Sequence, residues 1–163
     1  MTAGPLDQGS PPEPVLEFAF EACVLIGTPL EQGMVGGNRQ RIVPIAGGQV
    51  SGPRFSGEVL AGGADWQALR PDGVLDVLAR YTVRADDGAI VTIVNSGYRR
   101  GPADIIARLG AGEDVDPALY YFRTTPRFEV AADSRHAWLG ESVFVCSAAR
   151  FQDRVLLRFF VVA

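Results

Sequence analysis

The chain contains no lysine: every one of its 15 basic residues is arginine. That absence removes Schiff-base catalysis, the lysine-dependent phosphate loop and a Ser-Lys dyad together. Histidine is nearly absent as well, with His136 alone, so a multi-histidine metal site is excluded. Cys23 and Cys146 are the two cysteines, and no ligand spacing joins them to acidic residues, so no metal and no cofactor is expected. Both thiols read as free, strand-borne fillers in a reducing, cytoplasmic compartment. No apolar run approaches membrane-spanning length, and the opening MTAGPLDQGSPPEP lacks the basic start and apolar centre of a signal peptide. The net charge of −4 argues against a nucleic-acid backbone as partner.

What is present is an ordinary globular composition, with 47% hydrophobic residues in 163, enough for one domain with a core. Residues 1–14, rich in proline, glycine and polar groups, read as a disordered leader, and residues 15–163 as the folded domain. Period-two patterning then dominates. In LEFAFEACVLIG the even positions Leu16, Phe18, Phe20, Ala22, Val24 and Ile26 are all apolar. In VLDVLARYTVR the odd positions Leu75, Val77, Ala79, Tyr81 and Val83 form the apolar face. RVLLRFFVV repeats the pattern with Val155, Leu157, Phe159 and Val161.

Asp-Gly turns punctuate these runs in RADDGAI and RPDGV. The one convincing helix is GPADIIARLG, with Pro102 near its first turn and Gly110 near its end. Many short strands, regular turns and one short helix predict an all-β fold: a single antiparallel β-barrel, lipocalin/calycin-like or similarly closed. Closure removes exposed strand edges and offers a cavity.

Several runs carry a family resemblance. RIVPIAGGQVSGPRFSGEVLAGGADWQ, ARYTVRADDGAI, YYFRTTPRFEV and AWLGESVFV, in this order, resemble the DUF3237 proteins, also called UPF0311. The resemblance extends from about residue 16 to the C-terminus. It implies an antiparallel β-barrel and little about chemistry, although some members are similar to pathway enzymes acting on small organic molecules. The chain departs from the pattern at Leu78, Gly140 and Cys146. If Leu78 faces the cavity, a carboxylate has been lost from it.

The candidate site centres on GGADWQ. Asp65 is either a turn cap or a general acid or base at the barrel mouth. Trp66 either packs locally or forms an apolar pocket wall. An indole against the carboxylate would desolvate it and raise its pKa. By parity Arg54, Ser56 and Glu58 share one strand face, and Asp76, Leu78, Arg80 and Thr82 share another. These faces are either a solvated exterior or a polar lumen. In the second case Arg54, Arg80 and Arg123 hold negative charge developing on a substrate oxygen, with Glu58 completing the polar lining. Either Tyr121 with Arg123, or Tyr120 with Phe122, points inward. Trp138 is a further pocket wall or a core residue, and His136 reads as an exposed loop histidine.

The expected catalytic set is therefore Asp65, Arg80 and Arg123. The expected substrate-binding set is Arg54, Glu58, Trp66, Tyr121 and Trp138. Two functions are open. One is a cofactor-independent enzyme performing acid–base chemistry (isomerisation, cyclisation, or addition and elimination of water) on an apolar, aromatic or polyketide-like molecule. The other is a non-catalytic barrel that binds a small hydrophobic ligand. The expected partner is thus a small organic molecule, with neither nucleic acid nor membrane; pairing of two barrels into a homodimer is a weaker, structural reading.

Overall fold

The computed structural model describes residues 9–163; residues 1–8 of the expected leader lie outside it. Ten strands and one helix follow in chain order: β1 (Leu16–Ile26), β2 (Leu30–Val35), β3 (Asn38–Ser51), β4 (Gly57–Val59), β5 (Ala64–Leu69), β6 (Leu75–Ala85), β7 (Ile90–Arg100), α1 (Ala103–Gly110), β8 (Tyr121–Glu129), β9 (Phe144–Arg150) and β10 (Arg154–Val162). All pairings are antiparallel. The order β1-β10-β9-β8-β7-β6 continues through β4 and β5, which lie in series between β6 and β3. Pairing of β3 with β1 closes the ring. The result is a closed antiparallel barrel of eight staves, with β2 as an outlying hairpin partner of β3.

The long strand β3 makes closure work. Its first half pairs with β2 and β5, its second with β1 and β4. Gly48 lies at the change of direction with φ +141°, and a Cβ there would stand 2.1 Å from the Cys23 carbonyl oxygen. Only glycine lets the two strands approach this closely.

The apolar faces point inward, as the period-two pattern predicts. Leu75, Val77, Tyr81 and Val83 of β6 are buried, as are Leu157, Phe159 and Val161 of β10. Strand β1 departs from simple parity. Its register slips between Phe18 and Phe20, so the bulge turns Phe18 outward. Phe18 instead packs edge-on against Phe160, with the Arg158 guanidinium over its ring.

One half of the lumen is filled with aromatic rings. Phe20 stacks on Phe159 at 4.6 Å and meets Phe55 and Phe128 edge-on, while Phe128 and Phe144 lie 4.8 Å apart. A 3-10 turn over Ala137–Glu141 caps this end, setting Trp138 5.7 Å from Phe144. The expectation of an exposed His136 is corrected here: it is only 5% exposed and meets Phe55 edge-on. Its Nε2 lies 3.1 Å from Asp87, which also pairs with Arg135, so the loop is clasped to the β6–β7 turn. The rings leave the opposite half of the barrel for a cavity.

Candidate functional site

The unfilled half of the barrel holds a cavity of about 50 Å³. Its wall is mostly aliphatic, with Val24, Val43, Val77, Val155 and Leu157. Set into that wall are Asp65, Gln67, Tyr81, Asn95, Thr124 and Arg150. Cross-strand register explains the gathering. Asp65 of β5 sits between Val43 of β3 and Ala79 of β6, and Ala79 faces Asn95 of β7. One rung nearer the mouth, Arg41, Gln67, Val77, Gly97, Thr124 and Cys146 follow one another around the barrel. Directly opposed residues in an antiparallel pair share a face, so these rows are interior rows.

Asp65 is held as an acceptor. Gln67 Nε2 donates to its Oδ2 at 2.8 Å, and the Leu78 backbone amide donates to its Oδ1 at 3.1 Å. Gln67 is itself oriented by Arg41, whose Nε donates to Gln67 Oε1 at 2.7 Å. The guanidinium therefore fixes the amide so that its NH₂ faces the carboxylate. Burial is the largest influence on Asp65 and raises its pKa above the ordinary 3.8; the two hydrogen bonds and the charges of Arg99 and Arg41 oppose the rise.

Three arginines stand at this end: Arg41, Arg99 and Arg150. Arg99 is only 4% exposed, in phase with Val91, Ile93 and Asn95 along β7. Burial, and then the charges of Arg41 and Arg150, lower its pKa to about 10. Burial and the Arg41 charge also lower that of Arg150. A second hollow of about 170 Å³ lies beside Arg41 and Arg99 and is also lined by Arg39, Leu69, Leu75 and Ile106 of α1. Helix α1 buries Ile105 and Leu109, which anchors it beside the mouth.

Several interior polar atoms lack partners: Tyr81 Oη, Asn95 Oδ1, Thr124 Oγ1, Arg99 Nε and Arg150 Nη1. Burial pushes the Tyr81 phenol well above its ordinary pKa, so it stays protonated and can donate. Cys146, cross-strand from Thr124, is pushed up to about 12 by burial, which keeps it a thiol. Among the described residues no three His, Cys, Asp or Glu side chains converge as a metal-ligand set. No helix among them is long and apolar enough to cross a membrane.

Of the residues expected from sequence, Asp65 alone lines this cavity. Arg80 is on the outer face, where it pairs with Glu129 at 3.2 Å. Arg123 is also outward, donating to the Phe122 carbonyl, with the partly exposed Tyr121 ring beside it. Glu58 faces Arg84 outside the barrel at 4.0 Å. Trp66 is 46% exposed and Leu78 48% exposed, side by side on the exterior. The indole therefore does not desolvate Asp65, and Leu78 has removed nothing from the lumen. Arg54 and Trp138 meet each other at 4.0 Å at the ring-filled end. Of the two alternatives in YYFRTT, Tyr120 and Phe122 point inward.

The physical reason is common to these corrections. A narrow barrel turns its apolar faces inward, so charged residues in mid-strand face solvent. The missed residues, Gln67, Asn95, Arg99, Thr124 and Arg150, are polar members of the inward face, with Asn95 in the middle of β7 and Arg99 and Arg150 near strand ends. Parity carried the signal: Arg99 is in step with Val91 and Ile93, and Arg150 with Phe144 and Ala148.

The comparisons agree with this architecture. A UPF0311 protein of Rhodopseudomonas palustris is 43% identical over 146 residues, covering 88% of this chain and 95% of that protein. A crystal structure from Rhodopseudomonas palustris superimposes with a TM-score of 0.90 at 40% identity, covering 94% of this chain and all of that one. A protein of Acinetobacter baumannii described as β-barrel-like matches with a TM-score of 0.81 at 34% identity, over 94% of this chain and 99% of that one. More distantly, an enzyme from Penicillium herquei shares the fold with a TM-score of 0.70 at 20% identity, over 95% of this chain and 99% of that one. The family described as "Protein of unknown function (DUF3237)" matches residues 14–162. With its closed barrel and near-complete coverage by these relatives, the chain belongs to the DUF3237, or UPF0311, family.

Proposed function

We propose that the chain is a cofactor-independent enzyme that performs acid–base chemistry on a small organic molecule at the Asp65 end of the barrel. The observation that carries this reading is the environment of Asp65: a carboxylate at a cavity wall, held by two donors and desolvated enough to raise its pKa. A general base is most effective when its pKa moves toward the working pH. Asp65 takes a proton from a C–H or O–H group of the substrate and returns it elsewhere. This is the proton traffic of an isomerisation, a cyclisation, or an addition or elimination of water.

Negative charge that develops on a substrate oxygen faces Arg99 and Arg150, which replace Arg80 and Arg123 in that role. Tyr81, kept as a neutral phenol, supplies a further donor. The cavity of about 50 Å³ admits a reacting group of a few atoms, so the rest of the substrate occupies the hollow beside Arg41 and Leu69. An extended aromatic or polyketide-like molecule would enter by one end only. The Penicillium herquei protein described as an enzyme has the same fold, so the barrel is compatible with catalysis.

The aliphatic wall also suits a barrel that only binds. One experiment separates the two. A panel of hydroxyaryl ketones and β-keto acids is incubated in D₂O with the protein, and C–H exchange and product formation are followed by NMR. The wild type is expected to accelerate exchange or turnover for at least one compound. Asp65→Asn should abolish that acceleration while keeping affinity within a few-fold. Binding without exchange or turnover by the wild type sinks the catalytic reading and leaves the carrier.

A further inference from the structure

We infer that the barrel mouth is a carboxylate-recognition site, built from Arg99 and Arg150 with Arg41 behind them, and that the ligand is a small organic acid. The inference rests on the reading of this end as the ligand's place, but not on Asp65 being catalytic.

The cations are the first argument. Among the described residues, none of Arg41, Arg99 and Arg150 takes part in an ion pair. Arg39, next to them in the hollow, is different, because Glu31 faces it at 3.7 Å. Arg99 is buried, and its Nε has no acceptor; Nη1 of Arg150 has none either. A buried cation without a partner is unfavourable, and several close together are more so. Burial first, and then the neighbouring arginine charges, lower the proton affinity of Arg99 and Arg150. A fold that keeps such a cluster gains when an anion neutralises it.

Asp65 cannot be that anion. Its two oxygens, each holding one donor, lie beyond ion-pair distance of every arginine among the described residues, so its charge acts on Arg99 and Arg41 only from further off. Arg41 reaches it only through Gln67. Tyr120, near Arg150, is occupied in accepting from the Arg150 backbone amide.

Shape is the second argument. Planar guanidinium groups match a planar carboxylate through paired N–H donors. The hollow beside Arg41 and Arg99 is lined by Leu69, Leu75 and Ile106 together with the Arg39–Glu31 pair, so the group attached to the carboxylate has an apolar wall to rest on. The neighbouring cavity, which Arg150 also lines, has a mostly aliphatic wall that would not solvate a bulky, multiply charged group.

Benzoate and its uncharged isostere benzamide test this directly, by NMR titration of the labelled protein at low salt, with inorganic phosphate as a third probe. Benzoate is expected to bind at least ten-fold more tightly than benzamide or phosphate, shifting resonances of β7, β9 and β3 around the mouth. Arg99→Gln and Arg150→Gln should each weaken benzoate ten-fold or more, and raised salt should weaken it too. Arg100→Gln, the outward neighbour stacked on Tyr121, should leave it unchanged. If Arg99→Gln does not fold, Arg150→Gln, at a less enclosed position, carries the comparison. Asp65→Asn should keep or improve benzoate affinity, so failure of the catalytic reading leaves this result standing. Equal binding of benzoate and benzamide, preference for phosphate, no binding of benzoate, or insensitivity to the arginine substitutions overturns the inference.

Discussion

Tyr81→Phe should make the protein more stable. Tyr81 is 3% exposed, and its ring packs among the inward residues of β6. Its hydroxyl oxygen is buried with no hydrogen-bond partner. Phenylalanine keeps the ring and deletes one atom, so no cavity of consequence opens. Leaving a buried polar group unsatisfied costs roughly 1–3 kcal/mol, and that cost disappears with the hydroxyl. For a 163-residue chain, about 2.1 cal/mol/K of unfolding entropy per residue converts each kcal/mol into roughly 3 °C of Tm. Urea titration should show a higher midpoint with an unchanged slope, and a thermal melt should rise by about 3 °C or more. The same substitution should slow turnover, because the interior loses a donor that stays protonated at ordinary pH. A loss of more than about 1 kcal/mol would refute the reasoning, since it would mean the hydroxyl is satisfied in the folded protein.

Asp65 gives a pH signature. Its folded pKa is raised, mainly by burial, so the native state holds the proton more tightly than the unfolded chain. Its contribution to stability is fully present below the ordinary value of 3.8 and is lost as pH rises through the raised folded value. Asp65→Asn should remove that component from a stability-versus-pH series measured with urea; an unchanged profile would refute the desolvation argument. If Asp65 is the base, turnover should rise across the same window. On the outer face, Arg80→Ala breaks a pair whose side chains are both more than half exposed, so stability should change by less than about 1 kcal/mol. Benzoate binding and turnover should be unaffected, and a large loss of either would place Arg80 back in the site.

The sequence alone determined the class of fold and its punctuation. Alternation in β6 and β10, and the Asp-Gly turns, depend only on local geometry: side chains alternate across a strand, and glycine takes the conformations a tight turn needs. GGADWQ singled out Asp65 as a turn cap or an acid–base group; its place in β5 on the cavity wall came from the closed barrel. Even Arg99 was recoverable, being in step with Val91 and Ile93. Which face is the lumen was decided only by closure. That choice sends Arg80, Arg123 and Trp66 outward, because a narrow barrel fills its interior with the apolar strand faces, and turns Arg99 and Arg150 inward because they share the parity of those faces. The bulge that turns Phe18 outward is set by pairing with β10, which no local pattern encodes. The cavity itself is a remainder: rings from β1, β8, β9 and β10 fill one half of the barrel, and the polar ends of β3, β5, β7 and β9 meet in the other. Such a meeting of residues more than 100 positions apart, Arg41 and Arg150 among them, exists only once the sheet has closed.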